Sequence, residues 1–261
     1  MVDRSAEPWY PTAAYLYALQ LDDLALAWEY LRRNPDYRLD WLRFHRRPQT
    51  AQGAAHRWGL RLLEDPALDA RDAHPAWLPG HAAVVQLYPD EDPPPDAAAF
   101  AFWRIPGHKQ LIHDGKRLVL VVRWPGHCLR FALAPGLEDG MAVAYAVRPG
   151  AAAPSHIFAD GMPQASPLAV ARPRPTLAAL LELHTLQALD ANLAGASLRE
   201  VAEGLFGADA VAAHWYSDGG LRAKTRRLVQ RGNELMRGGY RHLAQLAPLE
   251  KGRLAADAKR P

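Results

Sequence analysis

The densest chemistry in this 261-residue sequence lies between Gly219 and Arg241. From Leu221 to Arg241 the basic side chains Arg222, Lys224, Arg226, Arg227, Arg231, Arg237 and Arg241 stand against a single acid, Glu234. At roughly 100° per residue, Leu221, Thr225, Leu228, Gly232, Leu235 and Met236 fall on one stripe of a helix, which would pack inward. Arg222, Arg226, Gln230, Asn233 and Arg237 fall on a neighbouring face, with Lys224, Arg227 and Arg231 further round. A guanidinium reads a guanine edge with two parallel N–H groups, Gln and Asn read adenine, and the remaining cations suit phosphates. The competing reading is a plain solvated helix, but surface helices ordinarily mix signs and this one does not.

Such a helix needs a partner to position it, and one lies just upstream. Ser197 followed by Glu200 is a capping box, in which each residue satisfies an orphan amide at a helix start. Leu198, Val201, Ala202 and Leu205 recur at helical spacing, and Gly207 can adopt the left-handed conformation that stops the helix. A short capped helix, a connection and a longer basic helix together suggest a helix-turn-helix variant, whose second helix enters the major groove of double-stranded DNA. The connection, Ala208 to Asp218, carries its own apolar residues Val211, Ala212 and Trp215 and exceeds the minimal turn. Before it, Thr176 caps a helix running to about Ala194, where Gly195 ends it. Leucines at 177, 180, 181, 183, 186, 189 and 193 cover most of its circumference, so it should be buried on more than one side.

The rest of the chain reads as two further regions. In the first 71 residues Asp22-Asp23 caps a helix whose Leu24, Ala27, Trp28 and Leu31 share a face, Asn34-Pro35 breaks it, and Tyr37, Trp41 and Phe44 begin another. Trp9, Tyr10, Tyr15, Trp28, Tyr37 and Trp41 should form a small aromatic core. Arg32, Arg33, Arg38, Arg43, Arg46 and Arg47 make this unit basic too; solvated helix ends are the favoured reading, with an accessory phosphate contact as the alternative. From 72 to 172 prolines and short β-branched runs predict strands at 83–88, 99–104, 110–113, 117–123, 128–133 and 142–147, with Asp114-Gly115 as a hairpin turn and Asp90 to Pro95 as a loop. The linker Ala171 to Pro175 then leads into the C-terminal region. The expected fold class is α+β: a small N-terminal helical unit (1–71), a small, mostly antiparallel β domain (72–172) and an all-α helix-turn-helix variant (173–261).

Composition limits the alternatives. Hydrophobic residues make up 49% and charged residues 23% of the chain, both in the globular range. No apolar run reaches the roughly 20 residues needed to cross a bilayer, and the N-terminus has no signal-peptide pattern. The single cysteine, Cys128, precludes an internal disulfide and a cysteine-rich zinc site, and reads as a buried thiol. These features point to the cytoplasm, with no membrane partner. Residues 1–175 carry 19 basic and 19 acidic groups and residues 176–261 carry 12 and 9, so the net charge of +3 lies in the C-terminal third. That is the distribution of a nucleic-acid module on a neutral body. None of the 11 histidines falls in a zinc-binding spacing. His184, on the apolar face of its helix, reads as a hydrogen-bonded core residue. An enzyme acting through His108, His113 and His127 would need them to converge on a pocket, and no motif supports it. No cofactor is expected.

Ala188 to Gly207, Trp215, Leu221 to Val229 and Met236 to Arg241 resemble the helix-turn-helix variant of the FseA and QseM regulators of integrative and conjugative elements. Trp28 to Tyr37 similarly looks like the transcriptional-regulator-like domain that precedes it in longer members. The resemblance implies a DNA-binding activator of excision or transfer genes, with Arg222, Lys224, Arg226, Arg227, Gln230, Arg231, Arg237 and Arg241 as its DNA contacts. It also implies an alternative, since some members act as antiactivators that bind a protein partner, a sister regulator for instance, having lost the basic helix. Retention of Arg222, Arg226, Arg227 and Arg231 favours the DNA-binding branch. No heptad seam defines an oligomeric state.

Overall fold

The computed structural model describes residues 11–46, 48–78, 84–95, 97, 99–105, 107–113, 117–124, 127–146, 175–216, 220–244 and 246. Helices occupy the two ends of the chain and strands its middle, giving the expected α+β fold with a C-terminal helical region. After a 3-10 turn at Thr12–Gln20 come α1 (Asp23–Leu31), α2 (Pro35–Phe44) and α3 (Pro48–Arg57). Asp22 caps α1 by accepting from the Ala25 amide at 2.8 Å, and Leu24, Ala27, Trp28 and Leu31 are buried as their spacing predicts. Asn34 caps α2 through the amides of Asp36 and Tyr37, while Pro35 takes the first helical position, where its missing N–H is not needed. Trp28, Tyr37 and Trp58 meet edge to face with centroids 5.6 Å apart, the arrangement ring quadrupoles favour. Trp41 is not part of this cluster; it is half-buried and stacks on His45 one helical turn on. Trp9 and Tyr10 lie outside the described residues.

The sheet has the order β2-β3-β4-β1-β5, with β1 (Val84–Pro89), β2 (His108–His113), β3 (Leu118–Trp124), β4 (His127–Leu133) and β5 (Val143–Ala146). All pairings are antiparallel except β1 against β4. One face buries Val85, Leu87, Leu120, Val122 and Phe131 against Phe100 and Ile105. The segment 99–104 is not the strand its composition suggests. Ala99 makes one bridge to Ala142 and Phe102–Arg104 form a 3-10 turn, since both Phe100 and Ile105 are buried in the sheet's core and the Phe102 amide donates to the Asp139 carboxylate at 2.7 Å. The hairpin of β2 and β3 is present, His113 pairing with Leu118. The turn Asp114-Gly115, the Cys128 side chain and residues 171–174 of the linker lie outside the described residues. From the sheet, Arg130 reaches Asp22 of the helical unit with N–O separations of 2.6 and 3.3 Å.

The C-terminal helices are built around α4 (Leu177–Leu193), capped by Thr176. Its Leu183, Leu186 and Leu189 join Trp28, Leu31, Trp58, Met236 and Tyr240 in one core. Its Ala188 and Ala191 join Val201, Leu228 and Val229 in another. The leucine-rich helix is therefore buried on two sides, as its composition predicts, and it forms a wall common to the first and last parts of the chain.

Candidate nucleic-acid interface

Three helices follow α4: α5 (Leu198–Phe206), α6 (Ala208–His214) and α7 (Leu221–Glu234). Both arms of the capping box at Ser197 and Glu200 are formed, at 2.7 and 3.3 Å. Gly207 ends α5 at φ 86°, ψ 149°, a backbone open in practice only to glycine. The connection carries α6, which buries Val211 against the bundle. Val201 of α5 and Leu228 and Val229 of α7 meet in the core shared with α4, which fixes α5 and α7 relative to each other.

The basic helix differs from its sequence-predicted span. Regular α-helix ends at Glu234, residues Leu235–Gly239 form a wider π turn in which Gly238 leaves helical geometry, and α8 (Tyr240–Leu243) follows. The pair Gly238-Gly239 is the local cause, glycine being a poor helix residue. Gly232, another poor helix former, has a packing reason. A Cβ there would lie 2.9 Å from Leu189 Cβ and 3.3 Å from the Thr185 carbonyl oxygen, so only glycine lets α7 approach α4 this closely.

The inward stripe is as expected, with Thr225, Leu228, Gly232 and Met236 buried and Leu221 and Leu235 half-buried. Arg222, Lys224, Arg226, Arg227, Gln230 and Arg237 are exposed. Among the described residues, Arg222, Arg226, Arg227, Gln230 and Arg237 make no hydrogen bond or ion pair within the chain. Arg222, Arg226 and Gln230 stand at i, i+4 and i+8 on α7 and so form one row. Lys224 lies with its ammonium 4.8 Å from the Phe206 ring centroid, a cation–π contact that aims it toward α5.

Arg231 and Arg241 are held by the chain itself. Arg231 is ion-paired with Glu182 of α4, and its Nε is buried without a partner. The other oxygen of Glu182 accepts from the Tyr30 hydroxyl at 2.5 Å. Burial, and then the Glu182 carboxylate, push the Tyr30 hydroxyl up, so it stays protonated and donates. Arg241 donates from Nη1 to the Arg57 carbonyl at 3.4 Å.

A second buried network ties α1 to α4. Arg33 donates to both oxygens of Asp190, at 2.5 and 2.8 Å, and is also paired with Glu29. Tyr15 adds a 2.9 Å bond to Asp190, and Glu29 accepts from Arg32 and from the Ala70 amide. Arg32 and Arg33 are thus not the solvated helix ends their sequence context suggests; the Arg33 side chain is 8% exposed. Arg47 lies outside the described residues. The sequence signal that could have found this network is the presence of Glu182 and Asp190 on a helix otherwise rich in leucine.

His184 is not a hydrogen-bonded core residue. It is half-buried beside Phe206, with no hydrogen-bond partner among the described residues, and burial followed by the Lys224 charge lowers its proton affinity. His108 and His113 sit exposed at opposite ends of β2, and the His127 side chain lies outside the described residues. Among the described residues no cluster of three or more His, Cys, Asp or Glu could hold a metal ion, and no helix is long and apolar enough to cross a membrane.

Three family models match parts of the chain. Residues 147–245, which contain α4 to α8, match the family model described as "T6SS, Transcription factor, DNA binding domain". Residues 8–62 match the proteobacterial transcriptional regulator-like domain, and residues 82–129 a domain of unknown function (DUF7011). No curated protein matches the chain. The first two matches support a DNA-binding transcriptional regulator with DNA as a partner.

Proposed function

We propose that this protein is a sequence-specific transcriptional regulator that lays α7 in the major groove, with Arg222, Arg226 and Gln230 at base edges. Lys224, Arg227, Arg237 and Arg241 contact phosphates, and Arg231 does so with the edge that Glu182 leaves open. In this reading α5 to α7 act as a helix-turn-helix variant of the region 173–261, the helical unit 1–71 braces it, and the sheet region 72–172 is a separate module. The observation that carries the reading is the exposed row Arg222, Arg226, Gln230, without intrachain partners among the described residues, inside the stretch that matches a DNA-binding domain. The target genes are those for excision or transfer of an integrative and conjugative element, which the protein activates. The T6SS in the description of the matched family gives a second set of targets, and genome-wide footprinting of the tagged protein separates the two.

Binding depends steeply on salt, because each neutralised phosphate releases condensed counterions. Arg226→Ala weakens binding to the selected site by about 1–3 kcal/mol and relaxes specificity at one base position, as loss of a bidentate contact does. Wild-type affinity from this variant in a mobility-shift titration rejects the role of Arg226. A pull-down that recovers a protein partner after nuclease treatment, from a chain that retains no duplex, would instead favour the antiactivator reading.

A further inference from the structure

The basic residues of the C-terminal helices do not end at the kink after Glu234. Past it the chain docks on the loop that follows α3. Tyr240 donates its hydroxyl to the Trp58 carbonyl at 3.2 Å, Arg241 donates to the Arg57 carbonyl at 3.4 Å, and Asn34 donates to the Met236 carbonyl at 3.0 Å. These contacts put Arg57, from the opposite end of the chain, beside Arg241.

Arg57 is itself held in place. Its guanidinium carbon lies 4.8 Å from the Trp58 ring centroid. One nitrogen is 3.3 Å from the Asp40 carboxylate, which also accepts the Trp58 indole N–H at 2.9 Å. Asp40 is buried and the Arg57 side chain is 43% exposed. A guanidinium has five N–H donors; one Arg57 nitrogen faces Asp40, and the side chain as a whole remains part-exposed. An arginine stacked on an aromatic ring with its inner edge fixed loses little freedom on meeting a phosphate.

Length decides what such a residue can meet. At 1.5 Å per residue the regular part of the helix, Leu221–Glu234, is about 21 Å long, whereas the major groove is about 12 Å wide. A helix whose first turns reach base edges carries its far end over the sugar–phosphate strand, as the last helix of homeodomains does. Beyond that end, past the turn at Leu235–Gly239, Arg241 rests its guanidinium on the Arg57 carbonyl.

We propose that Arg57, positioned by Trp58 and Asp40, is a DNA phosphate contact, and that with Arg241 it extends the interface from α7 onto the N-terminal helical unit. This rests on the DNA-binding reading of α7. The test is fluorescence anisotropy of the full chain on the selected duplex and on a scrambled duplex, each between about 50 and 200 mM salt. Arg57→Gln is expected to weaken both duplexes by the same factor and to flatten the plot of log K against log salt by about 0.9, one phosphate's worth. The wild-type advantage then shrinks about 3.5-fold across that salt range. Arg57→Lys retains the slope and Arg241→Gln flattens it by a similar amount; should Arg57→Gln melt early, its titrations are run below its melting transition. An unchanged slope in Arg57→Gln, or a loss confined to the selected duplex, overturns the proposal. If Arg226→Ala still loses the selected site in those titrations, the reading of α7 stands without the extension. A wild-type chain that binds neither duplex at the lowest salt ends both.

Discussion

Arg33 gives the sharpest test of how the two ends of the chain are joined. Its side chain is 8% exposed, that of Glu29 is fully buried, and that of Asp190 is 22% exposed. Arg33→Ala therefore leaves two carboxylates in a low-dielectric site, with Glu29 keeping Arg32 and Asp190 keeping the Tyr15 hydroxyl. Removing one partner of a buried ion pair costs about 3–5 kcal/mol, because the charge left behind is uncompensated. A whole domain has only about 5–15 kcal/mol of stability, so the variant should be close to unfolding. With a urea dependence of about 2 kcal/mol per molar, the midpoint falls by about 2 M. Trp28, Trp58 and Trp77 lie in the same core and report the transition by fluorescence. Acid separates this cause from lost packing. Burial, the largest single influence, raises the Glu29 and Asp190 carboxyls, but the charge and hydrogen bonds of Arg33, with Arg32 and, at Asp190, Tyr15, together outweigh it and hold both below their ordinary values. Their folded values lie below the unfolded ones, so the stabilisation is complete above about pH 5 and drains as pH falls through the folded values. The wild type should lose stability steeply on that acid limb, and Arg33→Ala much less. A midpoint shift under about 0.5 M, or parallel acid limbs, refutes the assigned role of the network.

Two further outcomes follow from the packing around α4. Gly232→Ala gains about 1 kcal/mol in helix propensity, but its Cβ would meet Leu189 Cβ at 2.9 Å and the Thr185 carbonyl at 3.3 Å. Overpacking costs about 1–3 kcal/mol, so the variant should melt a few degrees early, and a raised melting temperature would refute the close crossing. Residues 173–261 expressed alone would bare Leu183, Leu186, Leu189, Met236 and Tyr240 and strip Glu182 and Asp190 of Tyr30 and Arg33. That fragment should bind a hydrophobic dye and lack a cooperative thermal transition; a sharp transition with near-native helix content refutes the shared core.

Much of the fold was legible because its causes are local. The caps at Asp22, Thr176 and Ser197 each act within three residues of themselves, and the inward stripe of α7 follows from a 3.6-residue period. What stayed hidden depends on distant partners. Arg33 and Asp190 are 157 positions apart and Arg231 and Glu182 are 49 apart, and no periodicity links them. The segment 99–104 failed as a strand for the same reason, since what turns it is Asp139, 37 positions away from Phe102.

Arg227 and Arg231 show where a reading by composition stops. They are the same residue type one helical turn apart, and each adds one charge to the basic run. Arg227 is exposed and has no partner among the described residues, whereas Arg231 is half-buried and paired with Glu182. The difference comes from Gly232, whose missing side chain lets α4 approach and brings Glu182 within reach of one arginine and not the other. Arg231 is therefore committed to Glu182 on one side while its side chain stays 41% exposed, and the pair ties α7 to Tyr30 of α1 through the carboxylate they share.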